Sequence, residues 1–238
     1  MEGTDDADRA GGGAGGGGAN GAGGGAGGGG WMAMAVTEPA RLKRELRRDL
    51  LAVRAALADD EVAQAAETLS ERALGLPELA RAGTVAAYVS VGREPGTGPL
   101  LRALRERGVR VLLPVLLVDD DLDWAEFDGH GRLVESEHAG RVRLLEPAGR
   151  RLGTTAVTWA DTVLLPGLAV DGRGVRMGRG GGSYDRALAR VAASAADPAL
   201  VALVYGHEVV DRLPSESHDR RVHAALTPEG VHRFGREA

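Results

Sequence analysis

Apolar residues recur along this chain with two different periods, and the change from one to the other marks out its elements. Over residues 41–57 the spacing is helical: Leu42, Leu46, Leu50, Val53 and Leu57 predict an amphipathic helix whose polar face carries Lys43, Arg47 and Arg54. Thr37 and Pro39 precede it as start signals. Asp59 or Asp60 caps a second helix reaching about Leu74, with Val62, Ala66, Leu69 and Ala73 inward. Pro77 and Gly83 break that pattern. Short, near-continuous apolar runs follow at residues 84–90, 109–115, 162–165, 200–205 and 222–226. A helix is expected at 99–107, between the first two runs, and another at 184–195. Strands that are apolar throughout, alternating with helices, predict a parallel sheet covered on both faces. Residues 122–127 read as an edge strand, and 144–147 and 151–159 as short or irregular pieces. The expected fold class is α/β: a three-layer α/β/α arrangement with a mainly parallel open sheet and N-terminal helices.

Composition separates the ends of the chain. Residues 1–10 are acidic and polar, and residues 11–30 are almost entirely Gly and Ala. Gly loses the most backbone freedom on ordering and has no side chain to bury. A disordered Gly-rich tail is therefore expected over residues 1–35, and a single α/β domain over 36–238. The absence of Cys excludes disulfides and thiolate catalysis. No apolar run reaches the roughly 18–20 residues of a membrane helix, and no secretory signal pattern is visible. A cytoplasmic protein with no membrane or nucleic-acid partner is expected; the formal charge of −5 disfavours binding to phosphate backbones.

The candidate chemistry sits in residues 170–186, VDGRGVRMGRGGGSYDR, between an apolar strand and a helix. Loops at the carboxyl ends of strands form the ligand crevice of open α/β sheets. Gly178, Gly180, Gly181 and Gly182 let the backbone approach a ligand and aim N–H groups at phosphate oxygens. Ser183 and Tyr184 open the next helix, whose N-terminus favours anions. Arg176 and Arg179 supply guanidinium groups suited to bidentate phosphate contact, and Asp185 is placed to hold a metal ion. The segment is neither a Walker A loop nor G-x-G-x-x-G. The acidic run Asp119, Asp120, Asp121 and Asp123 reads as a solvated turn, and Asp171 as a loop-shaping residue.

The longer stretch LLPGLAVDGRGVRMGRGGGSYDR resembles the hallmark of the 5-formyltetrahydrofolate cyclo-ligase (methenyltetrahydrofolate synthetase) family, and the likeness extends over residues 40–227. The resemblance implies ATP- and Mg²⁺-dependent conversion of 5-formyltetrahydrofolate to 5,10-methenyltetrahydrofolate by a monomer acting on small-molecule substrates. It implies nucleotide contacts from Lys43, Arg44, Glu45, Leu46 and Arg47, and from Arg176, Met177, Gly178, Arg179, Gly180, Gly181, Gly182, Ser183 and Tyr184. It implies folate contacts from Val89, Glu94 and the 179–183 stretch, catalytic roles for Arg176, Arg179 and Tyr184, and magnesium ligation by Asp185 and Asp219. Ser183, Gly181 and His223 depart from the family pattern at positions where Tyr, Lys and Asp are frequent. Three other readings compete: a folate- or nucleotide-binding protein of the same fold without turnover, a sugar-phosphate isomerase or CoA transferase on a similar sheet, and, last, an interaction protein acting through its Gly-rich tail, which lacks the Arg and aromatic interleaving of RNA-binding tails.

Overall fold

The computed structural model describes residues 38–138, 142–215 and 220–235. The expected tail and Asp219 lie outside the described residues. In chain order the elements are α1 (Glu38–Ala56), α2 (Asp59–Leu74), α3 (Pro77–Ala80), β1 (Thr84–Ala86), α4 (Gly98–Glu106), β2 (Arg110–Leu116), β3 (Leu122–Glu126), β4 (Leu133–His138) and β5 (Val142–Pro147). They continue with β6 (Thr162–Pro166), β7 (Ala169–Asp171), β8 (Arg176–Met177), α5 (Ser183–Ala192), β9 (Ala199–Leu203), β10 (Val209–Val210), β11 (Ala224–Leu226) and β12 (Val231–Arg233).

The main sheet has the order β12-β11-β9-β6-β1-β2-β3. Its five inner strands pair in parallel, and β3 and β12 add antiparallel edges. Successive strand residues feed opposite faces. Val85, Val111, Leu113, Leu164, Val201 and Leu203 join α2, α3 and α4 in one cluster. Ala86, Leu112, Val163, Leu165, Ala202 and Val204 join α5 and the short helical turn Thr154–Trp159 in the other. This is why the strands read as unbroken apolar runs: each side chain faces a covering helix layer. Each fully buried Leu or Val contributes about 1.5–3 kcal/mol by leaving water.

Three expectations need correction. The α1 stripe is narrower than its periodicity suggested: Leu42 and Val53 are 41% and 46% exposed, while Leu50 and Arg54 are buried. The helix packs through Leu46 and Leu50 against a small third cluster holding Leu168, Val175 and Met177, so only the 46–50–54 line turns inward. Residues 144–147, expected to be short or irregular, belong to β5 of the antiparallel ribbon β4–β5, in register from Leu133↔Pro147 to His138↔Val142. Pairing with a partner strand decided that, and local pattern does not report it. The 170–186 stretch between strand and helix is also more regular than its glycines suggest, because β8 pairs with β7 in a second sheet of order β10-β7-β8.

Candidate functional site

A cleft of about 640 Å³ opens where α1, the segment after β1, the ends of β2 and β5, and the glycine loop converge. It lies beyond the carboxyl ends of β1 and β6, where strand residues hand over to loops.

One wall is the glycine loop, Gly178–Gly182, leading directly into α5. Gly182 caps that helix with φ of +73°, a left-handed conformation that costs a residue with a Cβ roughly 1–2 kcal/mol. A Cβ on Gly178 would stand 2.9 Å from Nη1 of Arg176, so only Gly fits there without moving the guanidinium. The loop's base is tied down by Asp171, which is fully buried. Its carboxylate accepts from the N–H groups of Arg173, Val175 and Leu213 and from the Arg173 side chain. Burial alone would raise this carboxyl, but the Leu213 N–H and the Arg173 guanidinium and N–H outweigh it and hold the group below the usual carboxylate range. Loop-shaping is thus the work its contacts describe.

The arginines of the loop differ sharply in employment. Arg176 is only 4% exposed at its side chain. It donates to the Pro166 carbonyl at 3.0 Å and to Asp185 Oδ1 at 2.7 Å. Its Nε is buried without a partner. Arg179 is 49% exposed at its side chain, and its contact is a 3.4 Å approach to Glu94 Oε1. Both arginines line the cleft, and they are held differently. Arg176 is committed to protein acceptors and orients Asp185, whereas Arg179 is a half-solvated cation at the cleft.

Helix α1 supplies a second polar wall. Lys43 and Arg47, four residues apart, both line the cleft. Arg47 Nε donates to the Gly178 carbonyl at 2.9 Å, docking the helix on the loop. Lys43 is the only lysine in the chain. Arg44, Glu45 and Leu46, which the resemblance groups with Lys43 and Arg47, do not line the cleft. Helical rotation turns Arg44 to solvent, pairs Glu45 with Arg41 at 2.8 Å, and packs Leu46 on the third cluster. Deeper in α1, Arg54 forms an ion pair with Glu208 at 2.5 Å and donates to the Gly167 carbonyl at 2.6 Å. The pair is buried, and it fixes α1 to the Pro166–Gly167 turn below the loop. The helical pattern gave no signal for it, because Glu208 lies 154 residues away.

Glu94 and Val89 reach the cleft from the segment after β1. Glu94 is buried, and its Oε2 accepts from the Val91 N–H at 2.9 Å. Burial first, and the Glu94 carboxylate second, push the Tyr184 phenol upward, so it remains a protonated donor at neutral pH. Ser183 and Tyr184 line the cleft from the first turn of α5. Asp185 follows them, half-exposed, with one oxygen taken by Arg176. A carboxylate oxygen at a helix start beside the glycine loop suits Mg²⁺, which takes one or two protein carboxylates and fills its remaining positions with phosphate and water. No group of three or more His, Cys, Asp or Glu side chains is gathered for a metal among the described residues.

The facing wall is apolar and was not foreseen. Pro114, Leu116, Leu117 and Val118 at the β2–β3 turn, with Leu144 and Leu145 of β5, line it. Val118 is fully exposed and Leu145 is 43% exposed. Large apolar groups gathered at an open cleft are the part of the pattern that marks ligand contact. No described helix is long and apolar enough to cross a membrane.

A model of the 5-formyltetrahydrofolate cyclo-ligase family matches residues 39–228. The 5-formyltetrahydrofolate cyclo-ligase of Mycolicibacterium smegmatis is 40% identical over 194 residues, covering 79% of this chain and 95% of that protein. The 5-formyltetrahydrofolate cyclo-ligase of Escherichia coli K12 is 29% identical over 180 residues, covering 75% of this chain and 96% of that protein. Among solved structures, Aquifex aeolicus 5,10-methenyltetrahydrofolate synthetase superposes with a TM-score of 0.67 at 28% identity, covering 83% of this chain and 96% of that one. With nearly the whole domain matched, and the glycine loop, Glu94 and the α1 cations converging on one cleft, the chain belongs to the 5-formyltetrahydrofolate cyclo-ligase family.

Proposed function

We propose that this protein is an ATP-dependent ligase that converts 5-formyltetrahydrofolate to 5,10-methenyltetrahydrofolate, releasing ADP and phosphate, in a cleft between the glycine loop and an apolar wall. The supporting observation is the single cleft that joins loop N–H groups and three cations, Lys43, Arg47 and Arg179, to a buried carboxylate and an apolar face. The polar side suits a triphosphate and the apolar side a ring-bearing substrate. Residues 36–238 form the catalytic domain in this reading, acting as a cytoplasmic monomer.

The formyl oxygen attacks the γ-phosphorus: an O–P bond forms, the bond to the bridging oxygen breaks, and ADP leaves. N10 then attacks the activated formyl carbon and loses its proton. The N5 lone pair expels phosphate as the carbon–oxygen bond breaks, leaving the methenyl bridge. Phosphoryl transfer of this kind asks for positioning and charge stabilisation more than for a protein nucleophile. Arg179 and the N–H groups of Gly180–Ser183 stabilise charge on the transferring group. Lys43 and Arg47 hold the nucleotide from α1, and Glu94 with Val89 holds the folate. Arg176 keeps Asp185 in place, and Asp185 with Asp219 would hold Mg²⁺. Held there, Mg²⁺ would supply positive charge against the phosphates. Tyr184 donates from the first turn of α5.

Arg179→Ala is the direct test: with ATP, Mg²⁺ and 5-formyltetrahydrofolate, kcat falls about 100-fold, the scale on which loss of one transition-state charge donor acts. Wild-type turnover in that variant would refute the assignment. Because the chain has one lysine, acylation of Lys43 followed by peptide mass analysis reports nucleotide binding without turnover. ATP is expected to protect it, and equal labelling with and without ATP removes Lys43 from the nucleotide site.

A further inference from the structure

The turn between β2 and β3 contains the acidic run that the sequence presented as a solvated surface feature. The structure gives it another use. Asp121 is buried, and its carboxylate forms a two-pronged ion pair with Arg190 of α5: Nη1 to Oδ1 at 2.9 Å, and Nη2 to Oδ2. Arg186, one helical turn earlier, donates through Nη2 to the Asp120 carbonyl at 2.5 Å and more distantly to the Gly181 carbonyl at 3.4 Å. Asp120 and Gly181 both line the cleft, and their carbonyls meet at this one nitrogen. One guanidinium group therefore joins the main chain of the glycine loop to the main chain of the apolar wall.

The turn itself is tightly built. Leu117 N–H donates to the Asp121 carbonyl at 2.8 Å and Asp120 N–H to the Leu117 carbonyl at 3.1 Å. Asp120 is the one non-glycine with positive φ among the described residues, at +62°. Asp tolerates that conformation better than most residues, at a cost near 1 kcal/mol. The strained turn is held from outside by the two arginines, and it presents Leu117 and Val118 to the cleft. Both arginines project from the helix that the glycine loop opens, so the two walls share one rigid support.

We propose that Arg186 and Arg190 set the separation of the two cleft walls and are positioning residues that govern how tightly the ring-bearing substrate is held. This rests on the reading that the cleft holds both substrates. It places a specificity-determining function on the acidic run and on the arginine that closes the GSYDR stretch.

The experiment measures KM for 5-formyltetrahydrofolate and for ATP separately in Arg190→Gln, Asp121→Asn and Arg186→Gln. Loss of a charged hydrogen-bond pair at the wall is expected to raise the folate KM about tenfold, with the ATP KM and kcat within about threefold of wild type. Arg190→Lys keeps the charge and loses the fork; it is the variant to use if the others do not fold, and its folate KM rises about threefold. The exchanged pair Asp121→Arg with Arg190→Asp recovers part of the loss. An unchanged folate KM in folded variants, or folate and ATP KM rising together, would overturn the proposal. The two levels separate cleanly. If Arg179→Ala turns over normally, the functional reading falls; if it is disabled while the brace variants bind folate as wild type does, the brace alone falls.

Discussion

The two walls of the cleft are made in opposite ways. The glycine loop is contiguous in sequence, and its shape comes from main-chain geometry: Gly182 at positive φ, Gly178 against Arg176, and Asp171 bonded to N–H groups at the base. The apolar wall is assembled from the β2–β3 turn and β5, and its position comes from side chains that α5 and β5 send to it. Glu146 on β5, for example, accepts the Leu116 N–H at 2.8 Å. The first wall fails when a single backbone position is altered. The second loses contact area residue by residue, and its position depends on its braces. A site that needs charge placed within tenths of an ångström uses the first construction; a surface that needs only to cover a ring uses the second.

Substitutions on each side break that contrast to different depths. Gly178→Ala is expected to have the largest effect. Its Cβ stands 2.9 Å from Nη1 of Arg176, the nitrogen that donates to the Pro166 carbonyl, and loss of that one charged hydrogen bond, about 1.5–3 kcal/mol, lowers kcat/KM by roughly tenfold to a hundredfold. Steady-state kinetics with varied ATP check it, and an unaltered kcat/KM means the loop yields more easily than its packing indicates. Leu145→Ala probes the other wall. Removing apolar surface that a bound ring covers costs about 1–1.5 kcal/mol, so the folate KM rises roughly fivefold to tenfold while the ATP KM stays put. If ATP binding weakens instead, the assignment of the two walls is reversed.

The smallest effect sharpens the comparison by pH. The folded-state pKa of Asp171 is depressed, so its contribution to stability is fully present above the unfolded value of about 3.9 and is lost as pH falls through the folded value. Asp171→Asn therefore lowers Tm at neutral pH, and the gap between variant and wild type narrows in acid. Melting curves from neutral pH into the acid range measure this. A gap that stays constant with pH would show that the buried carboxylate is not ionised in the native protein.

Much of this molecule was legible along the chain. The end of α2, the five apolar strands and the glycine loop are placed by local signals: apolar periodicity, turn residues, and a glycine cluster before a helix; the start of α2 falls one residue earlier than an Asp59 cap implies, with Ala58 as its cap. The resemblance in the 166–186 stretch brought Glu94 and Lys43 into consideration, and the fold then set both on the cleft with Arg179. Arg54 was assigned to solvent because helical periodicity counts a guanidinium as polar and cannot see Glu208 waiting 154 residues away. Leu144 and Leu145 were read as part of an irregular piece, since a ribbon strand takes its identity from its partner. Arg176 and Arg179 look alike in sequence, yet one is enclosed by acceptors and the other half-open to water.

Sequence by itself determined which segments become strands and helices and where backbone must bend without a Cβ, since those follow from side-chain periodicity and allowed φ within a few residues. Tertiary structure alone decided which charges remain available to a ligand, and how far apart the walls stand. Availability depends on acceptors delivered from distant parts of the chain, and separation depends on two arginines of α5 reaching a turn some 66–69 residues earlier.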